Sequence, residues 1–490
     1  MRTDPYVSAV MHMNFWQSAL VATAMMLFPR VGNGGSGGGL EPLGPDFTFG
    51  LLLVGPHDDH GWSEAHYVAG LYLEQKIAGA RMTWLENVYP GSPLHAGATA
   101  AQLAERLVGQ GARLIIFNSD DMKDEATRFA QDHPDIYVIM ASGDQVWPEG
   151  RAYLDLPNLV NVMGRMEYGK MIAGCTAALT SQTGKIGYLG PLINDETRRL
   201  AASAYLGAKY AWTHYRGRDL AELRFKVRWI GFWFHIPGVT VNPSEVARDF
   251  FQSGHDVVVS GIDSIEALAE ANARHSAGQQ AWAIPYDYHG ACEGGNLVCL
   301  GVPFFNWGPA YLATVRTAMN GTWTSRFLWN APDWSNINDP DTSAVGFVQG
   351  QALSPENAAG VDRFVAELAG GLNLWTGPLA LQDGTAYLAA GVAATDQQIW
   401  YLPRLLEGME GQSVPVTPPR LGLASAQPLT AAGLELTLAA QSGTNCRIEA
   451  SSDLRDWTDI MNLVSTNEVT FFRDAGATNY ARRYYRAVTQ

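Results

Sequence analysis

Two successive series of short apolar runs, each alternating with stretches of helical spacing, fill the sequence from Phe47 to about Met319. The first places strands at Phe47–Val54, Arg81–Val88, Arg113–Ser119, Ile136–Ser142 and Leu159–Met163. Helices follow from Trp62 and over Ala98–Gln110, Met122–Asp132 and about Glu167–Leu179. The second series places strands at Lys185–Gly190, Phe225–Trp233, Asp256–Ser260, Ala281–Pro285 and Val298–Phe305. Its helices run from Asn194 to Trp212, Ser244 to Gln252, Ser264 to His275 and Pro309 to Met319. Alternation of this kind produces mostly parallel sheets covered by helices. Two such series imply two lobes with a cleft between them, a common place for a small ligand. Small residues at Gly169, Ala173, Gly174, Ala177 and Ala178 let the Glu167–Leu179 helix approach a neighbour closely.

The pattern then changes. Residues 321–350 are polar and aromatic, Val361–Leu368 reads as a last helix, and SVPVTPP near Ser413–Pro419 reads as a semi-rigid linker. Beyond it LELTLAA, CRIEAS, VTFFRD and RRYYRAV alternate with period two and lack helical spacing, so a β-sandwich-like module is expected. The predicted organisation is a leader and Gly-rich linker over 1–45 and a two-lobed domain over 46–412. Lobe one covers about 46–165 and lobe two about 166–300, with crossovers after 300. The linker occupies 413–420 and the accessory module 421–490, which is read as a tether or interaction domain.

At 490 residues the chain exceeds one ordinary core. Its net charge of −15, with no long Lys/Arg run, argues against nucleic acid and anionic membranes as partners, because phosphates require cations. The apolar stretch Phe15–Phe28 is short for a membrane span and resembles a signal-peptide core, with Met11 or Met13 as alternative starts. Export to the periplasm or exterior is expected, with no cysteine after the stretch for lipid attachment. Cys292 and Cys299 flank an EGGN loop and either bridge it or remain thiols.

The segment Gly55–Gly70, GPHDDHGWSEAHYVAG, forms the first strand-to-helix turn, where α/β folds bind ligands. Trp62 either offers a flat face there or caps the core. HDDH at His57–His60 cannot direct four neighbouring side chains at one ion, so no metal is expected; Asp58 or Asp59 instead bonds backbone amides.

GPHDDHGWSEAHYVAG, GRMEYGKMIAG at Gly164–Gly174, KIGYLG at Lys185–Gly190, GFWFH at Gly231–His235 and NWGPAYLATVRTAMNGTW at Asn306–Trp323 occur in this order. The set resembles the basic membrane protein family, the substrate-binding proteins of ABC importers that include purine nucleoside receptors. The resemblance spans roughly Phe47–Gly411. It implies a two-lobed type I periplasmic-binding-protein-like α/β fold, to which the small C-terminal all-β domain is added. It also implies a purine nucleobase or nucleoside as ligand, an importer permease as partner, and a monomer that is not an enzyme and uses no cofactor. Carried over position by position, Trp62 stacks on one face of the base. Phe234 covers the other, with Trp233 beside it. Asp287 in IPYD fixes a polar edge. FNSDD offers Ser119, Asp120 and Asp121, and ASGD offers Asp144. Ser63 stands where many relatives carry Asn, and His235–Asn242 reads as an insertion.

The types suit the chemistry apart from the family. A purine has two faces for aromatic stacking, worth roughly 1–3 kcal/mol each, and an edge of donors and acceptors. An ionised carboxylate accepts from an amine or ribose hydroxyls. Two rival classes are weighed. A glycosidase or nucleoside hydrolase would use paired acids, but the sequence shows no G-x-S-x-G elbow, P-loop, HExxH or GxGxxG after a strand. A sensor or scaffold would signal through the C-terminal module.

Overall fold

Why the chain forms two sheets and not one follows from its crossovers. The computed structural model describes residues 40–415, 420–424, 429–430, 432–440, 445–464 and 469–489. The proposed leader up to residue 39 and linker residues 416–419 lie outside these. None of the described helices is long and apolar enough to cross a membrane. The described residues fall into two compact units, one ending at Val414 and one beginning at Pro415.

In the larger unit, lobe one holds β1 (Phe47–Leu52), α1 (Trp62–Lys76), β2 (Ala80–Leu85), α2 (Ala100–Gly109), β3 (Ala112–Phe117), α3 (Lys123–Asp132), β4 (Tyr137–Ala141) and β5 (Leu159–Gly164). The chain crosses to lobe two through α4 (Met166–Thr180), β6 (Lys185–Gly190), α5 (Asp195–Tyr210), β7 (Arg224–Trp229), α6 (Pro243–Gln252), β8 (Val257–Ser260), α7 (Glu266–Ser276) and β9 (Trp282–Ile284). After β10 (Gly301–Phe305) it returns as α8 (Gly308–Met319) and β11 (Arg326–Asn330). It crosses a third time to β12 (Val345–Gln349) and α9 (Pro355–Ala369). The sheet orders are β11-β5-β4-β3-β1-β2 in lobe one and, in lobe two, β7-β6-β8-β9 with a further edge strand beside β7. The described pairings within both sheets are parallel. This is the expected two-lobed fold.

The strand β11 departs from the sequence reading. Residues 321–350 carry polar and aromatic side chains in place of an apolar run, yet Arg326–Asn330 pairs with Val160–Gly164 at the edge of the first sheet. All five of its residues are half-buried, as an edge strand requires. Lobe one therefore draws on residues well past 165, through α8 and β11.

The stripe of small residues on α4 serves close packing as anticipated. A Cβ on Gly174 would lie 1.8 Å from the Ala204 carbonyl oxygen, and one on Gly207 would lie 1.9 Å from that of Met171. Cys292 and Cys299 are joined in a disulfide, with Cα atoms 5.8 Å apart. Cys175 and Cys446 are buried thiols.

A strap closes the unit. The hairpin β13 (Leu379–Ala380) and β14 (Ala386–Leu388) leads to α10 (Asp396–Trp400) and to β15 (Met409–Glu410), which is the extra edge strand on β7. Ser413 belongs to this strap: its Oγ accepts from the Leu405 N–H at 3.0 Å and donates to Gln382.

Among the described residues the second unit has seven strands, β16 (Arg420–Leu423), β17 (Leu429–Thr430), β18 (Gly433–Ala439), β19 (Asn445–Ser451), β20 (Thr458–Val464), β21 (Val469–Asp474) and β22 (Tyr484–Thr489). They pair antiparallel in two sheets, with β18 and β19 central. Leu434, Leu436, Leu438, Ile448, Phe472 and Tyr485 share one core.

A chain ending at Val414 is expected to fold and bind as the full chain does, with its melting temperature little changed, since each unit has its own core. A chain ending at Gln412 loses Ser413 and leaves the buried Leu405 N–H unpaired, at a cost of about 1–3 kcal/mol. Melts of both truncations check this; unfolding of the longer one would refute the independence of the unit.

Candidate functional site

The first turn is built by Asp59. Its carboxylate accepts from the backbone N–H groups of Gly61, Ser63 and Glu64 at 2.9, 3.0 and 3.0 Å, capping α1 from outside the helix. His57 is occupied elsewhere, Nδ1 lying 2.8 Å from Glu86 Oε2. Among the described residues no cluster of three or more His, Cys, Asp or Glu side chains is arranged to hold a metal.

The cap presents Trp62 at the start of α1. Its Nε1 donates to the Asn118 carbonyl at 2.6 Å, and its ring packs edge-on against His66, Phe305 and Trp307 at centroid distances of 4.8, 5.2 and 5.2 Å. Trp62 is therefore buried in the lobe-one core and also lines a cavity between the lobes. That small cavity is bounded by Trp62, Ser119, Asp120 and Ser142 from lobe one and by Glu196, Trp233 and Asp263 from lobe two.

The lobes touch around it. Ser142 Oγ donates to Glu196 Oε2 at 2.9 Å. Tyr89 of lobe one meets Phe234 and Phe232 of lobe two at 5.5 and 6.0 Å, and His60 stacks on Tyr288 at 6.5 Å. The Cα of Gly61 packs so closely on lobe two that a Cβ there would lie 1.9 Å from the Asp263 carbonyl oxygen. This is a closed arrangement.

The residues singled out from the sequence separate into groups. Trp62, Ser119, Asp120 and Trp233 come together at the cavity. Phe234 is outside its lining, half-buried against Tyr89 and Phe232. The sequence reading ran the strand to Trp233, but β7 stops at Trp229 and Gly231 adopts a φ of 102°, so strand alternation no longer decides which neighbour faces inward. Asp121 lines a different cavity, within lobe one, with Val88, Tyr89 and Met122. Asp144 lies beside the interlobe cavity, accepting from the Tyr401 hydroxyl.

Asp287 is completely buried beneath the cleft and outside the lining of the interlobe cavity. Neither carboxylate oxygen has a hydrogen-bond partner among the described residues. Burial pushes its carboxyl well above the usual range, against the pull of Lys170. Lys170, also completely buried, is pushed well below the usual range by burial and donates to the Ser260 carbonyl at 2.7 Å. Asp287 thus lies outside the cavity that Trp62 and Trp233 share, and its burial disfavours the charged form.

Glu196 and Asp263 escaped the sequence reading. The start of α5 was visible at Asn194, which caps it by accepting from the Thr197 N–H at 2.9 Å. Nothing local told that Glu196 faces lobe one. Burial raises the Glu196 carboxyl and, further, that of Asp263, where Asp287 and Asp59 add repulsion. Asp59 and Asp121 are each pushed up to about 6 by burial. A cleft so rich in carboxyl groups favours a ligand that brings hydrogen-bond donors.

Burial therefore favours the protonated carboxyls in the folded protein. The ordinary Asp value is 3.8 and the value for Asp59 and Asp121 in the fold is about 6, so their contribution to folding stability is full below about 4 and lost as pH rises through about 6. The melting temperature is expected to fall between about pH 4 and pH 7 by less in Asp121→Asn than in the unaltered protein. Thermal melts across that range check this; an identical pH dependence in the two proteins would contradict it.

The family model described as ABC transporter substrate-binding protein PnrA-like (Bmp) matches residues 48–326. A purine-binding protein of Brucella abortus (strain 2308) is 27% identical over 364 residues, covering 74% of this chain and 92% of its own. An ABC transporter protein of Haloferax volcanii named for glucose binding is 26% identical over 332 residues, covering 65% and 75%. The structure of an ABC transporter solute-binding protein from Aeropyrum pernix K1 superposes with a TM-score of 0.51 at 10% identity, covering 74% of this chain and all of that one. With a match over more than half its length, and with the fold to go with it, the chain belongs to the family of PnrA-like ABC transporter substrate-binding proteins.

Proposed function

We propose that this protein captures a purine nucleobase or nucleoside between its lobes outside the cytoplasm and delivers it to an ABC importer. The observation that carries the reading is the pairing of Trp62 from lobe one with Trp233 from lobe two across a cavity rimmed by Ser119, Asp120, Glu196 and Asp263. The indole rings suit the faces of a flat heterocycle, and the carboxyl groups suit its N–H and amine edge. The Brucella abortus purine-binding relative supports the same ligand class. The relative named for glucose binding favours a second reading, a sugar, which also packs on aromatic faces.

Mass spectrometry of the small molecules released from the purified full chain, followed by calorimetric titration with adenine, adenosine, hypoxanthine and glucose, tests the proposal. Purine compounds are expected to bind and to return unchanged. Glucose binding without purine binding would replace the reading, and conversion of nucleoside to free base would make the protein a hydrolase.

A further inference from the structure

Consecutive residues of the strap are seated in different lobes. Trp400 and Tyr401 belong to the apolar core that holds Phe49, Leu114 and Val138 of lobe one. Leu402, Leu405, Leu406 and Met409 belong to the core that holds Ile186, Phe225 and Val259 of lobe two. The strap thus joins the lobes in addition to the crossovers of the chain.

Its two seats differ in kind. The lobe-two seat includes backbone bonds: β15 pairs with β7, and the Leu402 carbonyl accepts from Arg198 Nε at 2.7 Å. The lobe-one seat is made mainly by side chains. Trp400 packs edge-on against Trp329, Phe327 and Trp147 at centroid distances of 4.9, 5.0 and 5.8 Å. The Tyr401 ring stacks on Trp147 at 5.8 Å. Its hydroxyl donates to Asp144 and accepts from the Arg151 N–H at 2.8 Å. The Arg199 guanidinium of lobe two lies 4.0 Å from the Trp400 ring and gives it a partner on that side as well.

The seat in lobe one borders the cleft. Trp400, Tyr401 and Asp144 line one recess with Glu196 of lobe two. The other end of α10 lies at a crossover, where Asp396 accepts from both Nη atoms of Arg165, between β5 and α4, at 3.0 and 2.7 Å. Parting of the lobes therefore separates the partners of Tyr401 more than those of Asp396. A single peptide link, with Cα atoms about 3.8 Å apart, joins Tyr401 to Leu402 and cannot stretch. One seat has to yield, and the side-chain seat in lobe one is the weaker.

We propose that the strap is a clasp. Trp400 and Tyr401 enter lobe one as the lobes close and leave it as they open, so the clasp stabilises the closed form and slows the escape of what the cleft holds. This does not depend on the identity of the ligand. The clasp acts on dissociation more than on association, because a ligand enters the open form, in which the clasp is undone.

Two measurements on the full chain test this. The first uses no ligand. Trp400→Ala is expected to melt within about 2 °C of the unaltered protein, because in the open form the ring has already left its seat. A larger fall would make Trp400 a permanent part of the lobe-one core and overturn the inference. The second follows adenosine by stopped flow. Trp400→Ala is expected to speed its dissociation by about tenfold or more and to leave association within about twofold. Tyr401→Phe keeps the ring and loses two hydrogen bonds, so dissociation should quicken by about 3- to 10-fold. Dissociation unchanged in both variants, or affinity lost through slower association, would overturn the clasp and leave the purine reading standing. If adenosine does not bind the unaltered protein, the purine reading falls and the ligand-free melts alone decide the clasp.

Discussion

Gly61→Ala is expected to weaken purine binding by about 100-fold or more, because it holds the lobes apart. In the closed arrangement a Cβ at this position would sit 1.9 Å from the Asp263 carbonyl oxygen and 2.6 Å from its carbon. Real Cβ contacts do not fall below about 3 Å, and here both sides of the clash are backbone, which cannot rotate away as a side chain would. The clash exists only when the lobes meet. Each lobe keeps its own core, so the open form should fold normally. A ligand held on one lobe alone retains Trp62, Ser119 and Asp120 and loses Trp233, Glu196 and Asp263. Small-angle scattering supplies the second readout. The wild-type radius of gyration should fall on saturation with ligand, and that of Gly61→Ala should stay constant. A variant that binds and contracts like wild type would show that the lobes close in a different register.

This contact marks a boundary between what the residues announce and what only the fold reveals. The strands of both lobes were legible because each is a short apolar run, and Phe49, Leu114, Val138 and Val257 are indeed sealed from solvent. The Gly174 stripe was legible because small residues at helical spacing have few other uses. The backbone-bonding acid of the HDDH turn was legible as Asp58 or Asp59, and it is Asp59. Each of these depends on neighbours within a few positions. Phe234 and Trp233 show where that reasoning stops. They are adjacent, both aromatic, and placed in a loop after β7, where no periodicity assigns a face.

Glu196 and Asp263 lie further out of reach. Glu196 sits in the first turn of α5 and Asp263 in the loop between β8 and α7, and each acquires its setting from lobe one across the cleft, through Ser142 and Gly61. The strap is the extreme case. Trp400 and Tyr401 lie more than two hundred residues from Trp147 and Asp144, which they contact, in a stretch with only a five-residue helix to mark it. Tertiary placement, not local pattern, makes these residues part of the site.

Trp62→Ala is expected to act on both binding and stability, because Trp62 is both wall and core. Loss of one stacking partner costs roughly 1–3 kcal/mol of binding, about 5- to 150-fold in dissociation constant. Truncating a buried Trp costs about 3–5 kcal/mol of stability, and here the bond to the Asn118 carbonyl and three edge-on aromatic contacts go with it. Trp62→Phe separates the two. It keeps a π face toward the cavity and the packing on His66 and Trp307, so affinity should fall by less than in the alanine variant while part of the stability returns. Trp233→Ala removes the opposite wall without entering the lobe-one core. If both indoles hold the same ring, the affinity losses of the two alanine variants should not add: with one face already bare the ring is free to shift, and the second deletion removes less. A double variant whose losses sum would place the two tryptophans on different parts of the ligand. A Trp62→Ala protein with lowered stability and undiminished affinity in its folded fraction would remove Trp62 from the site and return it to the core alone.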